Sequence, residues 1–111
     1  MPNIYIYLNS NTGIGTLKYC KKTYDCGVDP DYNYPEDSTL DGRKEKKHHS
    51  NEYDVDMPWA VLWDGTDGIY FHEADSLSGS AGCIHLLEGD AEDFYNSVQG
   101  RPRILFKWVD D

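Results

Sequence analysis

Residues 57–72 read MPWAVLWDGTDGIYFH, and this stretch decides the fold class. Residues 57–63 (MPWAVLW) and 68–71 (GIYF) are rich in the β-branched and aromatic side chains that suit strands. Between them stands Asp64-Gly65-Thr66-Asp67, a turn sequence: aspartates bond their own backbone and glycine accepts a positive φ. The stretch is a β-hairpin with His72 at the end of its second strand.

Downstream, residues 76–82 are small and polar, a loop that delivers Cys83. Ile84 and Leu86 alternate with His85, which predicts a short strand. Asp90 is placed to cap a short helix through Ala91, Phe94, Tyr95 and Val98, with acid groups in the first turn where the helix dipole favours them. Gly100 and Pro102 end that helix, and residues 103–109 form a closing strand with Ile104, Phe106 and Trp108 on one face. Upstream, residues 3–8 predict an opening strand, residues 9–15 a turn-rich loop, and residues 16–19 its returning partner. Residues 25–42, with two prolines, two glycines and five aspartates, read as a long irregular loop. Residues 43–49 are the one basic cluster, and their pattern decides between neither helix nor strand. The sum is a mainly β fold with one short C-terminal helix.

The 111 residues amount to one domain, 1–111, without internal repeats. Three Trp and nine Tyr supply enough large side chains for a real core. A net charge of −10 repels phosphate backbones and anionic bilayers, so nucleic acid and membrane are excluded as expected partners. An acidic surface serves solubility first; it also suits a basic protein partner. The start, Met1-Pro2-Asn3 followed by Ile4-Tyr5-Ile6, has no basic segment or cleavage site of a secretory signal, and no apolar run is long enough to span a bilayer. Cys20 and Cys26 are either a bonded pair or two free thiols.

Ser80-Ala81-Gly82-Cys83 is the stretch with chemical potential. A cysteine after a glycine-containing loop has exposed amides around it, the arrangement that an oxyanion hole requires. Thiols react as thiolates, so the cysteine needs a base, and His72 and His85 are near enough in sequence to face one cleft. Read from spacing alone, Cys83 is more often a small buried hydrophobe than a nucleophile, and a zinc site of His72, Cys83 and His85 ranks below a Cys–His pair, since the spacing matches no standard ligand pattern and no fourth ligand is evident. Asp64 with Asp67, and Asp54 with Asp56, are turn formers before they are calcium ligands.

The C-terminal half resembles the YkuD-type L,D-transpeptidase catalytic domain, collinearly over residues 43–109. Residues 43–54 are similar to the segment leading into that family's active site, and Met57-Pro58-Trp59 to its Met-Pro-aromatic strand. Gly68-Ile69-Tyr70-Phe71-His72 is placed like its glycine-hydrophobic-histidine strand end. Ser80-Ala81-Gly82-Cys83-Ile84 is placed like its Ser/Thr-His-Gly-Cys signature, and the helix from Asp90 and the strand after Gly100 follow in the family's order.

The resemblance implies an L,D-transpeptidase-like β-sandwich and a set of roles. Cys83 is the implied nucleophile and His72 the base that generates its thiolate. The N–H groups of Ala81, Gly82 and Cys83 form the implied oxyanion hole. Ser80 and His85 shape the substrate site, and Trp59 and Tyr70 are its walls or, equally, core. The implied reaction is acyl transfer on peptidoglycan stem peptides: D-alanine leaves, a thioester forms, and an amine or water takes the acyl group. No metal or other cofactor is expected. The missing leader and wall-binding module point to an antibacterial effector that reaches the periplasm or cell wall by a non-Sec route, with an immunity protein as partner. A catalytically degenerate fold that binds peptidoglycan or another protein is the alternative.

Three departures from the family pattern stand out. Ala81 replaces the signature histidine and keeps only its backbone N–H. Glu73 follows His72 where a small residue is usual, and its carboxylate is placed either to hold the imidazolium or to face solvent. Ser38-Thr39-Leu40-Asp41-Gly42 stands where the family has a glycine-rich turn.

Overall fold

A computed structural model describes residues 2–51 and 55–110. Glu52, Tyr53 and Asp54, part of the expected lead-in segment and of one aspartate pair, lie outside the described residues.

The strands are β1 (Ile4–Asn9), β2 (Ile14–Tyr19), β3 (Lys22–Gly27), β4 (Asp37–Thr39), β5 (Lys44–Ser50), β6 (Val55–Asp64), β7 (Ile69–Glu73), β8 (Ile84–Leu86) and β9 (Arg103–Val109), with one helix, α1 (Asp90–Ser97), before β9. They form one nine-stranded ladder in the order β4-β9-β1-β2-β3-β8-β7-β6-β5. Two pairings are parallel, β1 with β9 and β7 with β8.

The ladder curls until its two halves pack inner face to inner face, which is the sandwich. In β1, Ile4, Ile6 and Leu8 are buried while Tyr5 and Tyr7 face out, the period-two pattern of a strand with one covered face. In β6, Ala60 through Trp63 are all buried, because both sides of that strand are covered. Tyr34 lies between the halves, its ring 5.7 Å from Trp63 of β6 and 4.9 Å from Phe106 of β9. The chain at Leu40–Gly42 straddles the closure: Leu40 N–H bonds Pro102 O at 2.9 Å, and Asp41 N–H bonds Trp63 O at 3.0 Å. Helix α1 plugs one end, with Phe94 5.1 Å from Phe71 and 6.2 Å from Tyr19.

The expected hairpin is β6–β7, the expected closing strand is β9, and the helix begins at Asp90 with Gly89 rather than Asp90 in the capping position. Three elements are additions. The expected loop 25–42 gives up its first residues to β3 and its residues 37–39 to β4, which is held as a strand by pairing with β9. β3 returns from β2 through a turn in which Cys20 and Lys21 adopt φ 50° and 69°, a left-handed geometry reached here without glycine or asparagine. The basic cluster is β5, which ends the ladder; Lys46 and Lys47 are exposed there, as suits an edge strand. Cys20, exposed, and Cys26, buried, are both free thiols, and burial pushes the Cys26 thiol up to about 12.

Candidate active site

The parallel pairing of β7 and β8 builds the site. Phe71 and Ile84 are register partners with no exposed surface, so they fill the core. Strand alternation then sends the next pair, His72 and His85, to the opposite face, and Cys83, just before Ile84, to that face too. The imidazoles meet edge to face, with ring centroids 5.2 Å apart. Cys83, His72 and His85 line one groove of about 520 Å³, with Met57 and Pro58 of β6 on its wall. Cys83 is 8% exposed and packs with Met57 and Ala60 against Tyr70, and its thiol lies 3.9 Å from Gly68 O.

His72 is 6% exposed and its Nδ1 lies 2.8 Å from the main-chain carbonyl of Glu73. A carbonyl only accepts, so Nδ1 carries the proton and Nε2 keeps a lone pair. Burial, the largest influence, lowers the pKa of His72 to about 4; the Glu73 carbonyl works in the opposite direction, and His85 and His48 add to the lowering. His72 is therefore a neutral imidazole at ordinary pH, with its basic nitrogen defined. The Glu73 contribution is its backbone carbonyl. Its carboxylate is raised instead, first by desolvation and then by Glu88, Asp75 and Glu92. His85 donates from Nδ1 to Ser76 O at 2.9 Å, and burial lowers its pKa too.

The loop before Cys83 is tied at several points. Ser80 Oγ accepts from Gly82 N–H at 3.1 Å and donates to the carbonyl of Cys83. The buried Tyr34 hydroxyl donates to Gly82 O at 2.6 Å. Gly82 has φ 138°, a conformation that favours glycine; a Cβ there would meet Ile69 only at ordinary contact distance, so the backbone angle is what selects glycine. Of the three amides expected as oxyanion donors, Gly82 N–H is already engaged by Ser80 and serves a substrate only if that bond opens. Ala81 is exposed beside the groove.

Tyr70 lines a second hollow of about 250 Å³ on the other side of Cys83, with its ring stacked 4.5 Å from that of His48. Trp59 turns elsewhere: at φ 55° it leaves the strand alternation, and its ring meets Tyr95 of α1 at 5.1 Å, so Met57 and Pro58 wall the groove in its place. Sequence reasoning singled out neither Tyr34, hidden in a long loop, nor His48, in a segment of undecided structure. Among the described residues no three or more His, Cys, Asp or Glu side chains converge to hold a metal ion, so a zinc reading of His72, Cys83 and His85 has no geometric support. No helix among them is long and apolar enough to cross a membrane.

The curled sheet thus holds a cysteine and a tautomerically fixed histidine in one groove. The family model of the L,D-transpeptidase catalytic domain (YkuD) matches residues 9–105, and the chain belongs to that family. Among solved structures it is similar to an L,D-transpeptidase from Stackebrandtia nassauensis, at 19% identity and TM-score 0.76, covering 98% of this chain and 56% of that one. It is also similar to L,D-transpeptidases from Mycobacterium tuberculosis H37Rv (20% identity, TM-score 0.71, 96% of this chain, 58% of that one) and Mycobacterium smegmatis (18%, 0.69, 96% and 59%). The chain spans under two thirds of each of these proteins, and at such identities the likeness is one of fold. Comparison with curated protein sequences gave no match.

Proposed function

We propose that residues 1–111 act as a single catalytic domain performing cysteine-dependent acyl transfer on peptidoglycan stem peptides. The observation that carries this is the pinned imidazole. His72 Nδ1 donates to Glu73 O, which leaves Nε2 as the basic atom in the groove that Cys83 lines. In this reading the Cys83 proton leaves its weak contact with Gly68 O and passes to His72 Nε2. The thiolate adds to the carbonyl joining the L-centre of the third stem residue to D-alanine. The amides of Ala81 and Cys83, and of Gly82 once released by Ser80, hold the developing oxyanion. The C–N bond breaks, His72 returns the proton to the departing D-alanine amine, and a thioester remains on Cys83. An incoming amine or water gives its proton to His72 and takes the acyl group, regenerating the thiol.

Turned against another cell's wall, the same chemistry makes the chain an antibacterial effector acting in the periplasm or cell wall. The net charge of −10 suits a basic immunity protein as partner. A second reading, a non-turnover binder of peptidoglycan or protein, is favoured by the engaged Gly82 amide and by Ala81.

Two of the solved relatives are described with imipenem and with a faropenem-derived adduct. Incubation with imipenem followed by intact-mass measurement and peptide mapping tests the reading. The enzyme gains one imipenem mass on Cys83, and Cys83→Ala gains none. Absence of any adduct on the native chain favours the binder.

A further inference from the structure

The two hollows flanking Cys83 differ in their titratable lining. The larger groove carries Glu73 and Asp75 beside His72 and His85, with Asp56 at its edge. The smaller carries His48 and His49, and His49 is paired with Asp56 at 3.0 Å. Its one described acid, Asp67, already accepts the Tyr32 hydroxyl at 3.1 Å. It also lies against β5, whose exposed Lys46 and Lys47 belong to the one basic cluster of an acidic chain.

His48 is the side chain that brings this charge to the thiol. It is the register partner of Met57, so both project from the same face of the β5–β6 ladder, and Met57 packs with Cys83. Its ring lies on Tyr70 at 26° between planes, and its Nδ1 is paired with the carboxylate of Glu45. A carboxylate only accepts, so that nitrogen carries a proton. His48 lines the hollow, and with Nδ1 engaged by Glu45 its Nε2 is the ring nitrogen left for a ligand; as an imidazolium it donates to a carboxylate while Glu45 offsets the charge.

We propose that His48 recognises a carboxylate: held by Glu45 and Tyr70, it binds the free carboxylate of the amino acid that Cys83 displaces. The proposal rests on the acyl-transfer reading above and adds a direction to it. The leaving amino acid lies in the β5 hollow, and the remaining peptide, with its cationic diamino-acid side chain, runs along the acidic wall of the larger groove.

Alkylation of the full chain by iodoacetate and by iodoacetamide tests this without any turnover, since the reagents differ in carrying a carboxylate or a neutral amide. Peptide mapping gives the iodoacetate-to-iodoacetamide rate ratio at Cys83, and the exposed Cys20 is an internal reference. The ratio at Cys83 is expected to exceed that at Cys20 by about threefold to fivefold, the scale of a partly exposed ion pair. His48→Phe, which keeps a ring against Tyr70, brings it down to the Cys20 value; His48→Gln does the same should phenylalanine disturb the fold, and His48→Lys retains the excess. Equal ratios in the native chain and His48→Phe overturn the proposal, as does a Cys83 that neither reagent reaches. A charge-selective Cys83 that leaves stem peptides untouched instead contradicts the acyl-transfer reading and keeps the anion site.

Discussion

His72 Nδ1 sits 2.8 Å from the main-chain carbonyl of Glu73, its own neighbour in sequence. The imidazole is thus oriented by backbone, which no substitution at position 73 removes. Glu73→Gln should leave acyl-transfer kcat/KM within about threefold of the native value, well below the cost of losing a general base. Long-range 15N–1H spectra at pH 7 should show His72 as the Nδ1–H tautomer in both proteins. An Nε2–H tautomer would contradict the assignment of Nε2 as base.

The same imidazole ties stability to pH. Its pKa is about 4 when folded, against 6.5 for a free histidine. Between those values the unfolded chain binds the proton and the folded chain does not. Unfolding free energy from this group therefore rises with pH across the window and is lost as pH falls from 6.5 toward 4. The shift corresponds to ~3 kcal/mol. Urea unfolding at pH 7 and pH 4.5 should show a smaller loss in His72→Gln than in the native chain. Parallel losses would show that His72 is not the group responsible.

Tyr34→Phe isolates the anchor of the loop before Cys83. The substitution deletes the hydroxyl that meets Gly82 O at 2.6 Å and leaves the ring stacking on Phe106 and Trp63 intact. A buried carbonyl stripped of its donor costs about 1–3 kcal/mol. Urea midpoints should fall accordingly, and alkylation of Cys83 by iodoacetamide should change more than that of Cys20. A variant with native stability and native Cys83 reactivity would mean the bond does not position the loop.

What was legible in the sequence follows from how local each signal is. β6–β7 was readable because two apolar strands flank a turn with its own chemistry, and β9 because Ile104 and Phe106 keep the period of a one-sided strand. β3 was not, because its hairpin turn places Cys20 and Lys21 in a conformation usually announced by glycine or asparagine. β5 was not, because an edge strand has no need of the buried alternation that marks interior ones.

The site divides the same way. Cys83, His72 and His85 share a groove because β7 and β8 are parallel neighbours, a pairing that the order of the motifs alone does not give. Trp59, which the resemblance left as wall or core, packs against the core: a positive φ in mid-strand turns it toward Tyr95. Tyr34 reaches Gly82 through the curl of the sheet and His48 reaches the Cys83 hollow through the β5–β6 register that sets it beside Met57, pairings that no local pattern encodes.

The most direct measurement is incubation of the protein with purified muropeptides bearing tetrapeptide stems, followed by mass spectrometry of products and enzyme. The account predicts loss of the terminal D-alanine, with cross-linked, exchanged or hydrolysed product, a transient acyl mass on Cys83, and no turnover by Cys83→Ala. Muropeptides left intact by the native chain, or processed equally well by Cys83→Ala, would contradict it.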